Sequence, residues 1–305
     1  MSSQATLSSP ATSASFAPIG LVLAAAMLWG TTGTAQHFAP AQLSPYWVGG
    51  LRMVMAALFF VALAMVMDKG HRSSPLRWGR VLFCGLCMAV YNLSFFAGIK
   101  ACGVALGTAL AIGSGPIWAG LMQAIVQNRM PSPQWWLGTC IGVGGGIVMA
   151  LAATDPQNLP WGGMALCLLA GLSYAAYALV NQALVMQARV ATVNAWVFGC
   201  AALMSLPFAA WLGGPLQTSA SGWVVVIYLG MVTTGFAYLL FSIGLRSMSA
   251  ATGVALSKAE PITAFALSLL IVGERPQWWS VLGLLGVIGG LWLVVQAERK
   301  STENI

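Results

Sequence analysis

The sequence predicts an all-α membrane protein: ten transmembrane helices in two inverted five-helix repeats, with both chain ends on the cytoplasmic side. Three observations lead there. Only 6% of the 305 residues are charged and 59% are apolar, whereas soluble domains carry about 25% charged residues. Apolar runs recur along the chain, each near the ~20 residues a helix needs to cross a bilayer core. They are continuous rather than alternating, which fits helices and not the strands of a closed barrel. Finally, the tetrapeptide PQWW opens at Pro133 and again at Pro276, 143 positions later.

Taken in order, residues 1–16 are rich in Ser, Thr and Ala and carry no charge, the composition of a disordered tail. They lack the basic start of a secretory signal, so no cleavage is expected. Ten spans follow, at roughly 17–38, 44–67, 78–99, 103–127, 134–153, 161–186, 191–212, 220–244, 249–272 and 277–297, with a short cytoplasmic tail at 299–305. Pro18, Pro45, Pro133, Pro160 and Pro276 stand at span entries, where a missing N–H costs least.

Orientation follows from the basic residues in the connections. With the N-terminus inside, the cytoplasmic side holds Lys69, Arg72, Arg77, Arg80, Arg129, Arg189, Arg246, Arg299 and Lys300, and the outer side only Lys100 and Arg275. Arg52 and Lys258 lie within spans.

The PQWW copies open spans five and ten. Upstream, GSGPIWAGL (113–121) aligns with KAEPITAFA (258–266) through Pro116 and Pro261; downstream, Gly142-Val143 and Gly145-Gly146 align with Gly286-Val287 and Gly289-Gly290. The chain therefore reads as two repeats, 17–155 and 156–298. Five is odd, so the second repeat starts on the opposite side of the membrane from the first, and the halves form an inverted pair. Tryptophan favours the headgroup zone, so the tetrapeptide reads as a duplicated anchor at opposite leaflets.

Ten spans in two similar halves, Trp29-Gly30 in span one, Pro45 and Arg52 in span two, Pro116 in span four and the run EPITAFALSLLIVGERPQWWSVLGLLGVIGG (260–290) together resemble the drug/metabolite transporter superfamily, EamA type. The resemblance covers nearly all of the chain after residue 17. It implies a multi-pass protein of the bacterial inner membrane that carries small molecules, with exporters of aromatic amino acids and related metabolites nearest in kind.

The candidate site residues are polar or aromatic groups buried in apolar runs. Lys258 lies nine residues into span nine, near the midplane, where a charge costs at least ~2.5 kcal/mol. Glu260 points from a different helix face, and Pro261 is expected to bend the helix there. Lys258 is assigned to a substrate carboxylate, and Glu260 to an amine or a coupling proton; a structural ion pair is the alternative. The matching positions in the first repeat are Gly113 and Gly115. Arg52 reads either as a snorkelling or carbonyl-tying guanidinium or as a substrate contact. Tyr174, Tyr177 and Asn181 share one face of span six, and Thr234 and Tyr238 one face of span eight. Tyr91 and Phe95 stand one turn apart on span three beside Asn92, and Ser114 and Trp118 one turn apart on span four. Tyr91, Asn92, Ser114, Trp118, Tyr174, Tyr177, Asn181 and Tyr238 are expected to line a central cavity; interhelical packing is the bland alternative.

Gly138, Gly142 and Gly146 on span five, and Gly286 and Gly290 on span ten, recur at four-residue spacing that lets helices approach closely, either within a monomer or in a homodimer. GVGGG lacks the Lys-Ser/Thr of a phosphate loop. The six cysteines lie in or beside apolar runs and read as packing residues rather than metal ligands. No cofactor and no nucleic-acid partner are expected, only the bilayer and a small-molecule substrate such as an amino acid or metabolite. A flippase or multidrug exporter is the neighbouring alternative. His37 and His71 sit at or beyond span ends, which leaves little for an intramembrane enzyme, and nothing resembles a channel filter.

Overall fold

The computed structural model describes residues 17–67, 75–151, 160–273 and 277–303. Every regular element among them is helical. The expected tail at 1–16, the last two residues of the expected tail at 299–305, the basic residues Lys69, Arg72 and Arg275, and Pro276 of the second PQWW lie outside the described residues; residues 299–303 continue the last helix.

Helix α1 (Ala17–Gly30) runs almost directly into the short α2 (Thr32–His37). Then come α3 (Pro45–Met67), α4 (Trp78–Cys102), α5 (Val104–Gln127), α6 (Pro133–Leu151), α7 (Trp161–Val185) and α8 (Val190–Gly213). Gly103 alone joins α4 to α5; its φ of 82° is open to glycine at little cost and reverses the chain in a single residue. Span eight is α9 (Ala220–Tyr228), a π-helical stretch (Leu229–Phe236) and α10 (Ala237–Gly244). The Thr233 and Thr234 hydroxyls both donate to the Leu229 carbonyl, at 2.9 and 2.7 Å. That competition with the backbone ladder matches the local widening of the helix.

Span nine is irregular. Helix α11 (Ala250–Leu256) ends in a 3₁₀ turn (Ser257–Ala259), and α12 (Glu260–Leu267) begins on the other side with Pro261 in its first turn and ends in a π turn (Ser268–Val272). The backbone stays in the right-handed helical region across the turn, so Pro261 follows a local tightening within one continuous span. A final helix, α13 (Trp278–Glu303), completes the bundle. Nine of these rods among the described residues are long and apolar enough to cross a membrane; α6, with 19 residues, packs against α13 as the tenth.

Among the packing pairs between non-consecutive spans are α3 on α8, α6 on α13, α5 on α11, α4 on α7, α1 on α10, α5 on α7 and α1 on α12, with α4 on α8 and α3 on the π-helical stretch. Exchanging spans one to five for spans six to ten maps the first three of these pairs onto themselves and the other six onto one another. The α6–α13 seam is built on glycine. A Cβ on Gly138 would stand 2.7 Å from the Gly290 carbonyl oxygen, and one on Gly290 2.5 Å from the Gly138 oxygen. The expected Gly138–Gly142–Gly146 stripe is corrected in one member: Gly146 meets nothing within 4 Å, and Gly145 takes its place against Gly283 and Gly286. These glycines join helices of one chain.

Burial is uneven along the bundle. Fully buried Val22, Phe60, Val81, Leu184, Val193 and Phe198 lie in the halves of their helices nearest the connections at 75–77, 128–132, 186–189 and 245–249, the end that also carries the start of α1 and the close of α13. Toward the other end Met53 and Leu229 are fully buried, and two smaller cores gather around Val48 and Val226 and around Cys102 and Cys167. Polar ties reinforce the first of these ends. Glu298 accepts from the Ser249 backbone N–H at 3.0 Å and from the Thr252 hydroxyl at 2.6 Å, holding the start of α11. Lys300 Nζ donates to Gln134 Oε1 at 3.1 Å, and Arg189 Nη1 to the Met67 carbonyl at 2.9 Å. At the other end α12 has no buried residue, and Trp278, Trp279, Leu282 and Leu285 of α13 are exposed. The two PQWW copies differ accordingly. Trp278 and Trp279 stand free at the surface, but Trp135 is buried against Gly120 of α5 and serves packing.

Candidate functional site

Above the packed end lies a cavity of ≈ 50 Å³ lined by Trp29, Thr32, Arg52, Tyr91, Phe95, Ala111, Ile112, Tyr174, Tyr238, Ser257 and Glu260. The lining comes from α1 and its continuation, α3, α4, α5, α7, α10 and the irregular part of span nine. The rings interlock. Tyr91 tilts against Tyr174 at 5.6 Å between centroids, Tyr174 meets Trp29 edge-on at 6.1 Å, and Trp29 meets Tyr238 at 5.0 Å. Phe95 stacks on Tyr91 at 5.8 Å. Such offset and edge-on contacts fix ring positions beyond what apolar burial alone supplies.

Two opposite charges share this aromatic chamber. Arg52, 8% exposed, rests its guanidinium over the Phe96 ring at 5.9 Å, and its Nε has no hydrogen-bond partner. Glu260 is half-buried at the first position of α12, where the helix dipole favours a carboxylate. No hydrogen bond or direct ion pair joins either charge to another described residue. The two opposite charges act on each other across the chamber, and with no direct contact between them both have room for counter-charges that arrive with a ligand.

Of the ten site residues expected from sequence, Tyr91, Tyr174, Tyr238 and Glu260 line the cavity. Six do not, and Lys258 lies furthest from its expected place. It is 4% exposed and turns away from the cavity into the α6–α13 seam, where Nζ donates to the Thr139 carbonyl at 3.0 Å. The 3₁₀ turn separates it from Glu260, so the two charges face different neighbours. Tyr177 and Asn181 are fully buried below the cavity. The Asn181 Nδ2 donates to Ser242 Oγ at 3.2 Å, and Asn194 Nδ2 donates to the same oxygen at 3.0 Å; this is an interhelical polar knot. Asn92 presses on Gly49 of α3, and Ser114 packs at Gly171 of α7 with its hydroxyl turned to the Ala111 carbonyl at 3.4 Å. Trp118 packs against the main core.

Arg52, read from sequence with a snorkelling alternative, faces the cavity. Thr32, Ala111, Ile112 and Ser257 were not singled out. Thr32 and Ser257 are small hydroxyl residues in runs full of them, and Ala111 and Ile112 are apolar like their neighbours. Among the described residues no cluster of three His, Cys, Asp or Glu stands together to hold a metal.

The EamA-like transporter family matches twice, over residues 17–151 and 161–296. The uncharacterized transporter YwfM of Bacillus subtilis (strain 168) is 33% identical over 282 residues, 92% of this chain and 94% of that protein. The uncharacterized inner membrane transporter YicL of Salmonella typhimurium is 25% identical over 298 residues, with 92% and 95% covered. A protein of the same organism named biotin transporter is 22% identical over 285 residues, with 90% and 92% covered. A solved structure titled only as the crystal structure of a protein superposes with a TM-score of 0.78 at 19% identity, covering 92% of this chain and 98% of the other, which speaks for the fold alone. Helical rods of membrane-crossing length, a charged aromatic chamber between them, and a family match across both halves lead to one conclusion: the chain belongs to the EamA-like transporter family and is a multi-pass integral membrane transporter.

Proposed function

We propose that the protein exports amino acids, aromatic ones foremost, or related small metabolites by alternating access around the Arg52–Glu260 cavity. The carrying observation is that a guanidinium and a carboxylate, which act on each other without a direct hydrogen bond, line one chamber walled by Trp29, Tyr91, Tyr174 and Tyr238. Arg52 takes a substrate carboxylate through paired N–H donors, Glu260 takes the ammonium, and the rings take a flat or apolar side chain. At ≈ 50 Å³ the chamber is far below the ~300–1,000 Å³ of ligand pockets. Cargo of this class enters only as the helices around it separate.

The transport cycle uses two five-helix repeats, 17–155 and 156–298, in opposite orientation with both chain ends in the cytoplasm of a bacterial cell. The packing pairs that interchange between the halves support the inverted arrangement, and Arg77, Arg80, Arg129, Arg189, Arg246, Arg299 and Lys300 at the packed end support the orientation. On that reading the cytoplasmic end is closed by its core and polar ties, and the looser end faces outward. Cargo binds from the cytoplasm when the packed end opens and leaves through the end where α12 is unburied.

A counterflow screen of amino acids and carboxylate metabolites in proteoliposomes, with and without a pH gradient, tests this. Exchange of at least one amino acid is expected, and its abolition by Arg52→Gln. Exchange unaffected by that change removes Arg52 from the site; exchange of only uncharged lipophilic compounds replaces the reading with a multidrug one.

A further inference from the structure

Lys258 is a buried charge that the cavity does not use, and its surroundings give it a different task. It occupies the middle of the three-residue 3₁₀ turn between α11 and α12. On one side of that turn every residue of α11 is buried; on the other no residue of α12 is. The two parts of span nine therefore differ in how firmly they are held, and the change falls at Lys258. Short 3₁₀ segments inside longer helices often mark hinges. The far end of α12 is also irregular, closed by the π turn 268–272, so α12 is a short rigid rod between two non-α joints.

The Lys258 side chain crosses the α6–α13 seam. A Cβ on Gly142 would lie 3.6 Å from its Cδ and 3.7 Å from its Nζ, and 3.9 Å from the Gly290 Cα. Gly142 borders the end of the stem, and the ammonium ends on the Thr139 carbonyl of α6. The other ionisable group acting on it is the Cys140 thiol of α6. Two residues on, Glu260 begins α12 and faces the cavity, and its backbone carbonyl lies against Gly30 of α1.

We propose that Lys258 is the positioning residue of the transport site: its ammonium pins the 3₁₀ turn to α6, fixing the pivot from which α12 presents Glu260 to the cavity. Lys258 touches no substrate. It sets where the carboxylate stands and lets α12 move about a fixed point. The consequence for cargo rests on the cavity being the transport site, but the anchor itself does not.

Pulsed electron–electron distance measurements on spin-labelled protein in lipid nanodiscs test the anchor without any cargo. On a cysteine-free background, one label pair is placed at Ile271→Cys and Ile147→Cys, exposed positions beyond α12 and on α6. A control pair is placed at Ile125→Cys and Leu203→Cys, on α5 and α8. Lys258→Met keeps the volume and removes the donor. The expected result is that the Ile271–Ile147 distance passes from one population to several while the control pair is unchanged, and that Lys258→Arg, which keeps a donor for the carbonyl, restores the single population. An unchanged Ile271–Ile147 distribution in Lys258→Met overturns the proposal. So does equal broadening of both pairs, which would make Lys258 a support of global packing. A cargo screen that returned no amino acid would leave this measurement intact, so failure of the anchor and failure of the export reading are told apart.

Discussion

The glycine seam between α6 and α13 allows a stability prediction worked from distances. An alanine at Gly138 would put its Cβ 2.7 Å from the Gly290 oxygen, 2.8 Å from Leu293 Cβ and 3.0 Å from the Val294 nitrogen. Carbon pairs prefer ~3.5–4.0 Å, so α13 must retreat by about 1 Å. Two of the three opposing atoms are backbone and cannot turn aside. Overpacking of this kind costs ~1–3 kcal/mol, against which alanine regains ~0.5–1 kcal/mol of helix preference over glycine. The expected net loss for Gly138→Ala is ~0–2.5 kcal/mol, centred on about 1 because two of the opposing atoms are backbone. Gly144, two turns along on the exposed face, has nothing within 4 Å, so Gly144→Ala gains ~0.5–1 kcal/mol from the same helix preference. Gly142→Ala meets its neighbours at 3.6 Å or beyond, ordinary contact, and falls between. Thermal unfolding in detergent, followed by tryptophan fluorescence of the monodisperse fraction, should order the variants Gly144→Ala, wild type, Gly138→Ala. Equal shifts for Gly138→Ala and Gly144→Ala would refute the claim that the seam is set by backbone approach.

Further outcomes concern charge. Glu260→Gln should reduce amino-acid counterflow by at least about tenfold, the effect of losing roughly 1.4 kcal/mol, with membrane insertion unchanged; a carrier of wild-type rate would take Glu260 out of the site. Glu298→Ala removes the acceptor of Ser249 N–H and the Thr252 hydroxyl, bonds to a charged group worth ~1.5–3 kcal/mol. It should speed maleimide labelling of a reporter cysteine at buried Ala251 from the packed end, and unchanged labelling would show that the tie does not hold that end shut. A cysteine at Ser301 should react only from the cytoplasmic face of intact cells, and labelling from outside would reverse the orientation.

Much of the bundle was legible because lipid imposes so few options. Each apolar run had to be a helix, and the span ends read from proline and basic residues fall within a few residues of α3, α7 and α8. The irregular turns were less legible. Pro261 announced a disturbance, but the 3₁₀ turn precedes it, since proline lacks only its own N–H and tolerates the start of a helix. The π stretch at 229–236 depends on two adjacent threonines capturing one carbonyl, a competition that composition does not reveal. In the site, helical periodicity placed Tyr91, Tyr174 and Tyr238 on inward faces correctly, yet inward is not the same as wet. Tyr177 is one turn from Tyr174 on the same face but one turn deeper, inside the core. Depth along the bundle axis is a tertiary property that no single-helix pattern carries.

Lys258 shows the same limit in a sharper form. A midplane charge was expected to seek a polar hollow, since burying it elsewhere seemed too costly. The second solution is a narrow slot floored by glycine, where the stem packs and a helix carbonyl accepts the ammonium. Gly142 at that slot meets Gly290, from the opposite repeat, across the seam. In the first repeat the aligned residue is Gly113, and α5 stays α-helical through Pro116, whereas the Lys258 repeat tightens into a 3₁₀ turn at the same level. The duplicated halves thus share a proline but not a pivot. The lysine and the turn occur together, in one half, beside the only glutamate that faces the described cavity. If the turn were a mere consequence of Pro261, α5 with Pro116 should tighten too; it does not. The asymmetry therefore lies in what precedes the proline, the Ser257–Ala259 turn with its pinned lysine, and that is where the two halves of an otherwise repeated architecture have taken different work.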